Sequence, residues 1–229
     1  MHTHNRTIVV ALGGSIIHPD GIDIAFLKKF KAFLTPYVRR GTKFVLVVGG
    51  GKLCRDFQNA AHEVSQLKDE DKDWLGIHVT RLNGHLIRTI FRAVADPVMI
   101  DARHKVLRLT HPVTVAAGWR PGWSTDYVAA ALAHDFNAGE YVVAGKPAFV
   151  YDKNPDDFKG ARPYRALSWK GYRAMIPAKW VPGAHAPVDP VAARFSAGRG
   201  LKAIILDGRN LANMKKYLDG KEFDGTVIE

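Results

Sequence analysis

Two glycine-rich segments each follow a short apolar run, and both could bind a phosphate group. Gly13-Gly14-Ser15 comes after Thr7–Leu12, and Gly49-Gly50-Gly51-Lys52 comes after Lys43–Val48. Glycine lets backbone N–H groups approach an anion closely, and a helix N-terminus adds partial positive charge. Lys52 and Arg55 would add full charges in the first turn of the next helix. Tight strand–helix turns also use glycine, but two such segments with a following lysine favour phosphate binding.

The spacing of these glycines argues against two common nucleotide-binding motifs. A Walker A sequence needs four residues between its first glycine and the Gly-Lys pair, and the dinucleotide fingerprint reads G-x-G-x-x-G. Neither segment fits either pattern. A P-loop kinase and a Rossmann dehydrogenase are therefore disfavoured.

A third segment, Ala117–Asp126, combines glycine, aromatic, cationic and hydroxyl residues. Trp119 and Trp123 offer ring faces on which a base could stack, and Arg120 offers a positive charge. Ser124 or Thr125 could cap a following helix, or donate to a ribose or a phosphate. The alternative is a capped helix whose tryptophans merely pack, but we favour a ligand-binding loop.

Asp73 opens a segment with helical spacing and has two interpretations. It could cap that helix, or its carboxylate could reach a ribose; from the residues alone, capping is favoured. The ten histidines show no zinc-binding spacing, and Cys54 has no identifiable base partner. We therefore predict no metal site built from protein ligands alone.

The segments that position these residues alternate between strand-like and helix-like patterns. Strands are predicted at Thr7–Leu12, Lys43–Val48, Pro97–Asp101, Val113–Ala116, Tyr141–Ala144, Leu201–Leu206 and Gly225–Ile228. Helices are predicted at Ile22–Arg40, Lys52–Gln66, Trp74–Val94, Ser124–Ala138 and Asn210–Leu218, with Lys68–Asp73 as a solvated connection. This rhythm predicts an α/β fold, a three-layer α/β/α sandwich with a mostly parallel central sheet. Ligands of such sheets bind at the carboxyl ends of the strands, where the glycines lie.

Composition limits the class of protein. The chain has 229 residues, a formal net charge of +11 and a sequence pI of about 9.8, which favour anionic partners. The cations do not form a dense cluster, so nucleic acid is disfavoured as the main partner. No apolar run approaches the roughly 20 residues of a membrane span, and no signal-peptide pattern precedes the first strand. With a single cysteine, these features predict a cytoplasmic protein.

In combination, the motifs resemble those of the archaeal-type uridylate (UMP) kinases, a branch of the amino acid kinase family. The resemblance covers essentially the whole chain and rests on the order of several short motifs. They are Leu12–Ser15, Val48–Leu53, Asp73–Ile77 with Thr80–Asn83, Gly118–Asp126, Val150–Pro155, Asp189–Ala193 and Gly225–Ile228.

The resemblance implies a fold, a reaction that transfers the ATP γ-phosphate to UMP to give UDP in pyrimidine nucleotide biosynthesis, and a set of site residues. It implies one amino acid kinase domain over residues 1–229, with an acceptor-binding lobe at about 1–138 and an ATP-binding lobe at about 139–229. UMP-binding residues would be Gly50, Asp73, Trp119, Arg120, Pro121, Gly122, Trp123, Ser124 and Thr125. ATP-binding residues would be Gly13, Gly14, Ser15, Gly51, Arg55, Tyr151 and Asn154. Lys52, Arg55 and Gly14 would be catalytic, Mg²⁺ would accompany ATP, and the chain would form a homo-hexamer.

Two positions depart from the family pattern and keep alternatives open. Ala148 stands where the family has an acidic residue associated with the catalytic centre. Ala11 stands where many members have a lysine, but archaeal-type members commonly lack that lysine too, so this departure weighs less. A lysine at position 146 could add charge near the ATP phosphates, but it cannot replace a carboxylate. The alternatives are a non-catalytic nucleotide-binding homologue, a kinase of the same fold for another small acid or phosphate, and a nucleic-acid-binding protein.

Overall fold

The computed structural model describes residues 6–179 and 186–229, and its centre is a parallel sheet. Nine strands are present in these residues. They are β1 (Thr7–Leu12), β2 (Lys43–Val48), β3 (Val113–Ala116), β4 (Glu140–Gly145), β5 (Val150–Tyr151), β6 (Pro163–Tyr164), β7 (Ala166–Leu167), β8 (Lys202–Asp207) and β9 (Thr226–Ile228). Seven of them form one sheet in the order β3-β2-β1-β4-β8-β9-β7, while β5 and β6 form a small antiparallel pair.

Eight helices in the same residues connect and cover the strands. They are α1 (Gly14–Ile17), α2 (Ile24–Arg39), α3 (Gly51–Val64), α4 (Asp69–Ile90), α5 (Thr125–Asp135), α6 (Trp169–Met175), α7 (Pro190–Arg199) and α8 (Leu211–Leu218). None of these helices is both long and apolar enough to cross a bilayer.

The strand register places the glycine-rich segments side by side. β1 pairs in parallel with β2 and with β4, and β4 pairs in parallel with β8. Leu12 lies opposite Val48 and Ala144, so the chain leaves β1, β2 and β4 at one edge of the sheet. β9 runs antiparallel to β8, which makes the sheet mostly rather than wholly parallel. The predicted three-layer sandwich is confirmed.

Side chains alternate between two cores on opposite faces of the sheet. Val10 and Leu12 point into the core that α2 and α4 cover, while Val9 and Ala11 point into the core that α5 and α7 cover. Burial on both faces explains why the central strands are continuous apolar runs rather than alternating ones. The sheet therefore forms a rigid base for the loops at its carboxyl edge.

Two predictions from the sequence are wrong. Pro97–Asp101 is not a strand; its one β-bridge to β3 in the described residues is the isolated bridge between Ile100 and Ala116. Pro97 has no N–H to donate, and the Asp96 carboxylate accepts the Val98 N–H at 2.8 Å, which ends pairing there. Lys68–Asp73 is not a solvated connection either, since α4 begins at Asp69 with acidic residues in its first turn. Those acids stabilise the helix N-terminus through its dipole.

Candidate functional site

The first two glycine segments pack against each other, backbone to backbone. A Cβ atom on Gly14 would lie 2.0 Å from the Gly51 nitrogen, and one on Gly51 would lie 2.4 Å from the Gly14 oxygen. Gly51 also has a φ of +69°, in the region that favours glycine. These two glycines are therefore required by the contact between the loops, whatever ligand the loops bind.

Hydrogen bonds attach both loops to the strands beside them. The Gly13 N–H donates to the Ala144 carbonyl of β4, and the Gly49 N–H donates to the Leu12 carbonyl of β1, each at 2.9 Å. From α4, the Asn83 side-chain amide donates to the carbonyls of Gly49 and Gly50 at 2.9 and 3.1 Å. The first turn of α3 that follows has N–H groups without intrahelical acceptors. The loops form a fixed cradle with a helix N-terminus beside it.

Lys52 and Arg55 lie on the first turns of α3, as the sequence predicts. Lys52 Nζ contacts the Asp56 carboxylate at 2.8 Å in a partly exposed ion pair. Arg55 is exposed, and within residues 6–179 and 186–229 it makes no ion pair. Because pairs of this kind contribute little to stability, both cations are available to an anionic ligand.

The third segment places its two tryptophans in different environments. Trp119 is only 5% exposed, and its Nε1 donates to the Ile100 carbonyl at 3.3 Å. Its ring therefore packs in the core and does not offer the stacking face that we expected. Trp123 is half-buried, and the Arg120 guanidinium lies 3.7 Å from its ring centroid. Trp123 and Arg120 are the pair that a ligand can reach.

Asp73 connects α4 to this segment instead of capping a helix. α4 begins four residues earlier, and Asp73 Oδ2 accepts the Gly122 N–H at 2.7 Å. Gly122 has a φ of +79°, so the turn at that point favours glycine. The capping interpretation is wrong. The carboxylate holds the tip of the third segment and presents it beside α4.

Ser124 connects the third segment to α7. Its Oγ accepts the Tyr127 N–H at 3.0 Å, which confirms the predicted cap of α5, and it donates to Asp189 Oδ2 in a short hydrogen bond. Asp189 Oδ1 accepts the N–H groups of Val191 and Ala192 at 2.7 and 3.1 Å and so caps α7. Pro121 is half-buried in the same loop, and Thr125, also half-buried, is the first residue of α5.

Asp126 is a candidate functional residue that we did not select from the sequence. Burial, together with the nearby charge of Asp189, raises the pKa of the Asp126 carboxyl well above its ordinary value of 3.8. Burial raises the pKa values of the Tyr141 and Tyr172 hydroxyls, and the charges of Asp126 and Asp189 act in the same direction. The signal was available, because Asp126 and Asp189 belong to two motifs of the resemblance.

Replacing Asp126 with asparagine should change how stability depends on pH. Because the folded-state pKa is raised, the folded protein binds the proton more tightly than the unfolded chain, and wild-type stability falls as pH rises between the two pKa values. The slope is at most about 1.4 kcal/mol per pH unit. Asp126→Asn should remove this decline in urea unfolding measured from pH 4 to 8, whereas Asp56→Asn, at an exposed acid, should keep it. An unchanged profile in Asp126→Asn would contradict the raised pKa of the Asp126 carboxyl.

The residues expected to hold the ATP nucleoside lie beyond β4. Tyr151 is in β5, while Asn154 begins a turn in which its side chain donates to Asp157 Oδ2 at 2.6 Å. Ala148 is half-buried between β4 and β5. A carboxylate that we did not select, Asp207, ends β8 opposite Gly145 of β4. Its Oδ1 accepts the Arg209 N–H at 2.9 Å.

Arg209 joins this half of the site to the first glycine segment. Its guanidinium pairs with Asp23 Oδ2 at 2.6 Å and reaches the Ile16 carbonyl at 3.5 Å. The loop after β8 therefore lies next to α1, which begins at Gly14. The structure brings the residues of the first three segments and the loops after β4 and β8 to one edge of the sheet.

Comparison with known proteins gives consistent matches over this arrangement. The model of the amino acid kinase family matches residues 6–207. The chain is 30% identical to the uridylate kinase of Methanocorpusculum labreanum, over 96% of this chain and 94% of that protein. It is 32% identical to the uridylate kinase of Methanothrix thermoacetophila, over 96% and 98%. The crystal structure of uridylate kinase from Archaeoglobus fulgidus superposes with a TM-score of 0.76 at 26% identity, covering 97% of this chain and 99% of that one.

Proposed function

The chain belongs to the amino acid kinase family, and we propose that it is a uridylate kinase that converts ATP and UMP to ADP and UDP. The observation that carries this proposal is the backbone contact between Gly14 and Gly51. This contact packs the two glycine-rich loops together as one cradle beside the N-terminus of α3. A cradle of this kind suits two phosphate groups brought together. The similarity of the chain to uridylate kinases along nearly its whole length supports UMP as the acceptor.

The two substrates would occupy the two halves of the carboxyl edge. UMP would lie over the loops after β1, β2 and β3, with Gly50, Asp73 and the Trp119–Thr125 loop around it. ATP would lie over the loops after β1, β4 and β8, with Gly13, Ser15, Gly51, Tyr151 and Asn154 contributing. This proposal includes the division into lobes at about 1–138 and 139–229. A cytoplasmic location remains a prediction.

The chemistry requires alignment and neutralisation of charge more than proton transfer. The attacking group is a phosphate oxygen of UMP, which is already anionic at neutral pH, so no general base is needed. Backbone N–H groups of the cradle, Lys52 and Arg55 would hold the reacting phosphates together against their mutual repulsion. Positioning and electrostatic stabilisation supply most of the catalysis in phosphoryl transfer.

Mg²⁺ is the cofactor that this reaction would use, and the residues present fit it. Within the described residues, no three His, Cys, Asp or Glu side chains form a ready-made metal site. A nucleotide-bound Mg²⁺ needs fewer protein ligands, since one or two carboxylates, the phosphates and water hold it. One carboxylate oxygen of Asp207 accepts the backbone N–H of Arg209, and the other oxygen would bind the ion. When bound, the ion would neutralise charge on the ATP phosphates. Ala148 has no carboxylate that could help to hold the ion.

Asp73→Ala should weaken the use of UMP specifically. Without the carboxylate, the Gly122 N–H loses its 2.7 Å acceptor and the proposed ribose contact is lost. We expect KM for UMP to rise about tenfold, as a lost hydrogen bond to a charged group would give, with KM for ATP nearly unchanged. Asp71→Ala, on the exposed first turn of the same helix, is the matched control. Equal KM changes for both substrates would argue against a role at the acceptor.

A panel of acceptors tests the proposed activity. Release of ADP from ATP would be measured with UMP, CMP, AMP and GMP, and with aspartate, glutamate and carbamate. We expect UMP to give the highest kcat/KM. A preference for an amino acid or for carbamate would contradict the assignment to uridylate kinases.

The surface of α3 supports the proposed homo-oligomer. This helix has no buried residue, and Phe57 and Val64 are 53% and 89% exposed. With Leu53, Ala60 and Ala61 they form an apolar stripe that another copy of the chain could cover. We propose that this contact contributes to a hexamer, which sedimentation equilibrium would measure.

A further inference from the structure

A groove between α2 and α4 has no part in the proposed reaction. It has a volume of about 480 Å³, within the range of pockets that hold small molecules. Nine residues line it: Ile22, Ile24, Leu27, Lys28, Lys31, Leu86, Thr89, Ile90 and Arg92. We call it the α2–α4 groove. None of these residues is among those proposed to bind ATP or UMP.

The walls of the groove are aliphatic and partly open to water. Ile22 and Ile24 are 52% and 63% exposed, while Leu27 is buried below them. Leu86 and Ile90 of α4 are half-buried on the opposite side. An exposed aliphatic patch with a buried floor gains free energy when an apolar group covers it.

The rim of the groove is cationic and lacks acids. Lys28 and Lys31 extend from α2, and Arg92 lies just after α4. Within residues 6–179 and 186–229, none of these three makes an ion pair. The sequence has no Asp or Glu from Ile24 to Arg55 and none from Trp74 to Ala95, so neither helix wall supplies an acid of its own at the groove. Asp23, which caps α2, is already paired with Arg209.

We propose that the α2–α4 groove binds a small amphiphilic anion, a free acyl-chain carboxylate or phosphate. The chain would lie on the aliphatic residues, and the headgroup would meet Lys28, Lys31, Arg92 and the Thr89 hydroxyl. Charge complementarity favours this occupant over a second copy of the same face, because two such faces, each with Lys28, Lys31 and Arg92 and no acid from either helix wall, would repel each other. The inference does not depend on the proposed kinase activity.

The groove length also suits a short chain. The lining residues of α2 run from Ile24 to Lys31, eight positions that span roughly 11 Å at 1.5 Å per residue. A ten-carbon chain is of this length, so decanoate and decyl phosphate are suitable probes. 1-Decanol, which has the same chain without the charge, is the matched neutral probe.

Isothermal calorimetry with these probes tests the proposal on the full-length protein. We expect decanoate and decyl phosphate to bind with one site per chain and 1-decanol to bind at least tenfold more weakly. The triple variant Lys28→Gln, Lys31→Gln, Arg92→Gln should bind both anions at least tenfold more weakly than wild type, and Ile24→Gln should weaken them as well. A control variant removes the same charge elsewhere, through Lys29→Gln, Arg39→Gln and Lys216→Gln. It should bind both anions as wild type does.

Several results would overturn the proposal. Equally weakened anion binding in the control variant would show unspecific attraction to a cationic protein. Binding of 1-decanol as tight as that of decanoate would show that the cationic rim has no role. Two further measurements address other occupants. In the first, the wild-type protein co-sediments with phosphatidylglycerol vesicles, the triple variant does not, and decanoate does not bind. That result would assign the groove to a membrane. A lower oligomeric state in Ile24→Gln by analytical ultracentrifugation would assign it to a second copy.

Discussion

Gly14→Ala is expected to abolish phosphoryl transfer and to destabilise the protein by about 1–3 kcal/mol, the usual range for overpacking. The added Cβ would lie 2.0 Å from the Gly51 nitrogen and 2.4 Å from the Gly50 carbonyl carbon. These are backbone atoms of a loop that Asn83 and β1 hold in place, so they cannot move aside cheaply. The two loops would separate, and the cradle for the phosphates would be lost with them.

Gly21→Ala is the matched control for this prediction. No atom lies within 4 Å of a Cβ at Gly21, so its alanine variant should keep both stability and activity. Urea unfolding and steady-state kinetics of the two variants would be compared. Normal kcat and normal stability in Gly14→Ala would show that the loops do not need their contact, and the geometry proposed for the site would fall.

The second large effect is expected from the cations of α3. Lys52→Ala and Arg55→Ala should each lower kcat/KM by about 100-fold, as loss of one group that stabilises developing charge commonly does. Both side chains lie in the first turns of the helix beside the cradle, so each can reach a phosphate. Stability should change by less than about 0.5 kcal/mol, because the Lys52–Asp56 pair is partly exposed and Arg55 is exposed.

Asp56→Ala separates the charge of Lys52 from its ion pair. It frees Lys52 without removing it, so kcat/KM should stay within about twofold of wild type while Lys52→Ala loses activity. The kinetics would be measured with saturating UMP and with saturating ATP. If Lys52→Ala and Arg55→Ala both retain wild-type kcat/KM, neither cation takes part in the transfer.

The sequence was sufficient to predict the sheet and the position of its loops. β1 and β2 have the predicted bounds because buried parallel strands are continuous apolar runs that end in glycine. The caps of α5 and α8 were also readable, since Ser124 and Asn210 accept N–H groups three residues ahead. Local patterns of this kind depend on neighbours in the chain.

Contacts between distant segments could not be read in this way. The bond from Gly122 to Asp73 spans 49 positions, and nothing near Asp73 shows that one of its carboxylate oxygens accepts a distant backbone N–H. Trp119 and Trp123 each follow a glycine, yet Trp119 packs in the core and bonds to the Ile100 carbonyl while Trp123 stays half-buried. Ser124 and Asp189 meet across 65 positions. Side-chain roles at the site therefore depend on tertiary packing.

Other misses had a local cause that was visible in the sequence. α7 begins with Asp189 and Pro190, a cap followed by proline at the first helical position, which is a common start for a helix. Pro97 should have argued against a central strand, because proline cannot donate to a ladder. In both cases the proline is the local signal, because it marks the start of α7 and argues against a strand at Pro97–Asp101.

The most direct test of the central claim is to follow ATP and UMP by ³¹P NMR in the presence of the protein and Mg²⁺. Transfer to UMP predicts that ATP and UMP decline together while ADP and UDP rise in equal amounts, with no growth of inorganic phosphate. Inorganic phosphate released while UMP stays constant would show hydrolysis instead of transfer. Unchanged spectra, with nucleotide binding detected by calorimetry, would show that a chain with Ala148 binds nucleotides without being a kinase.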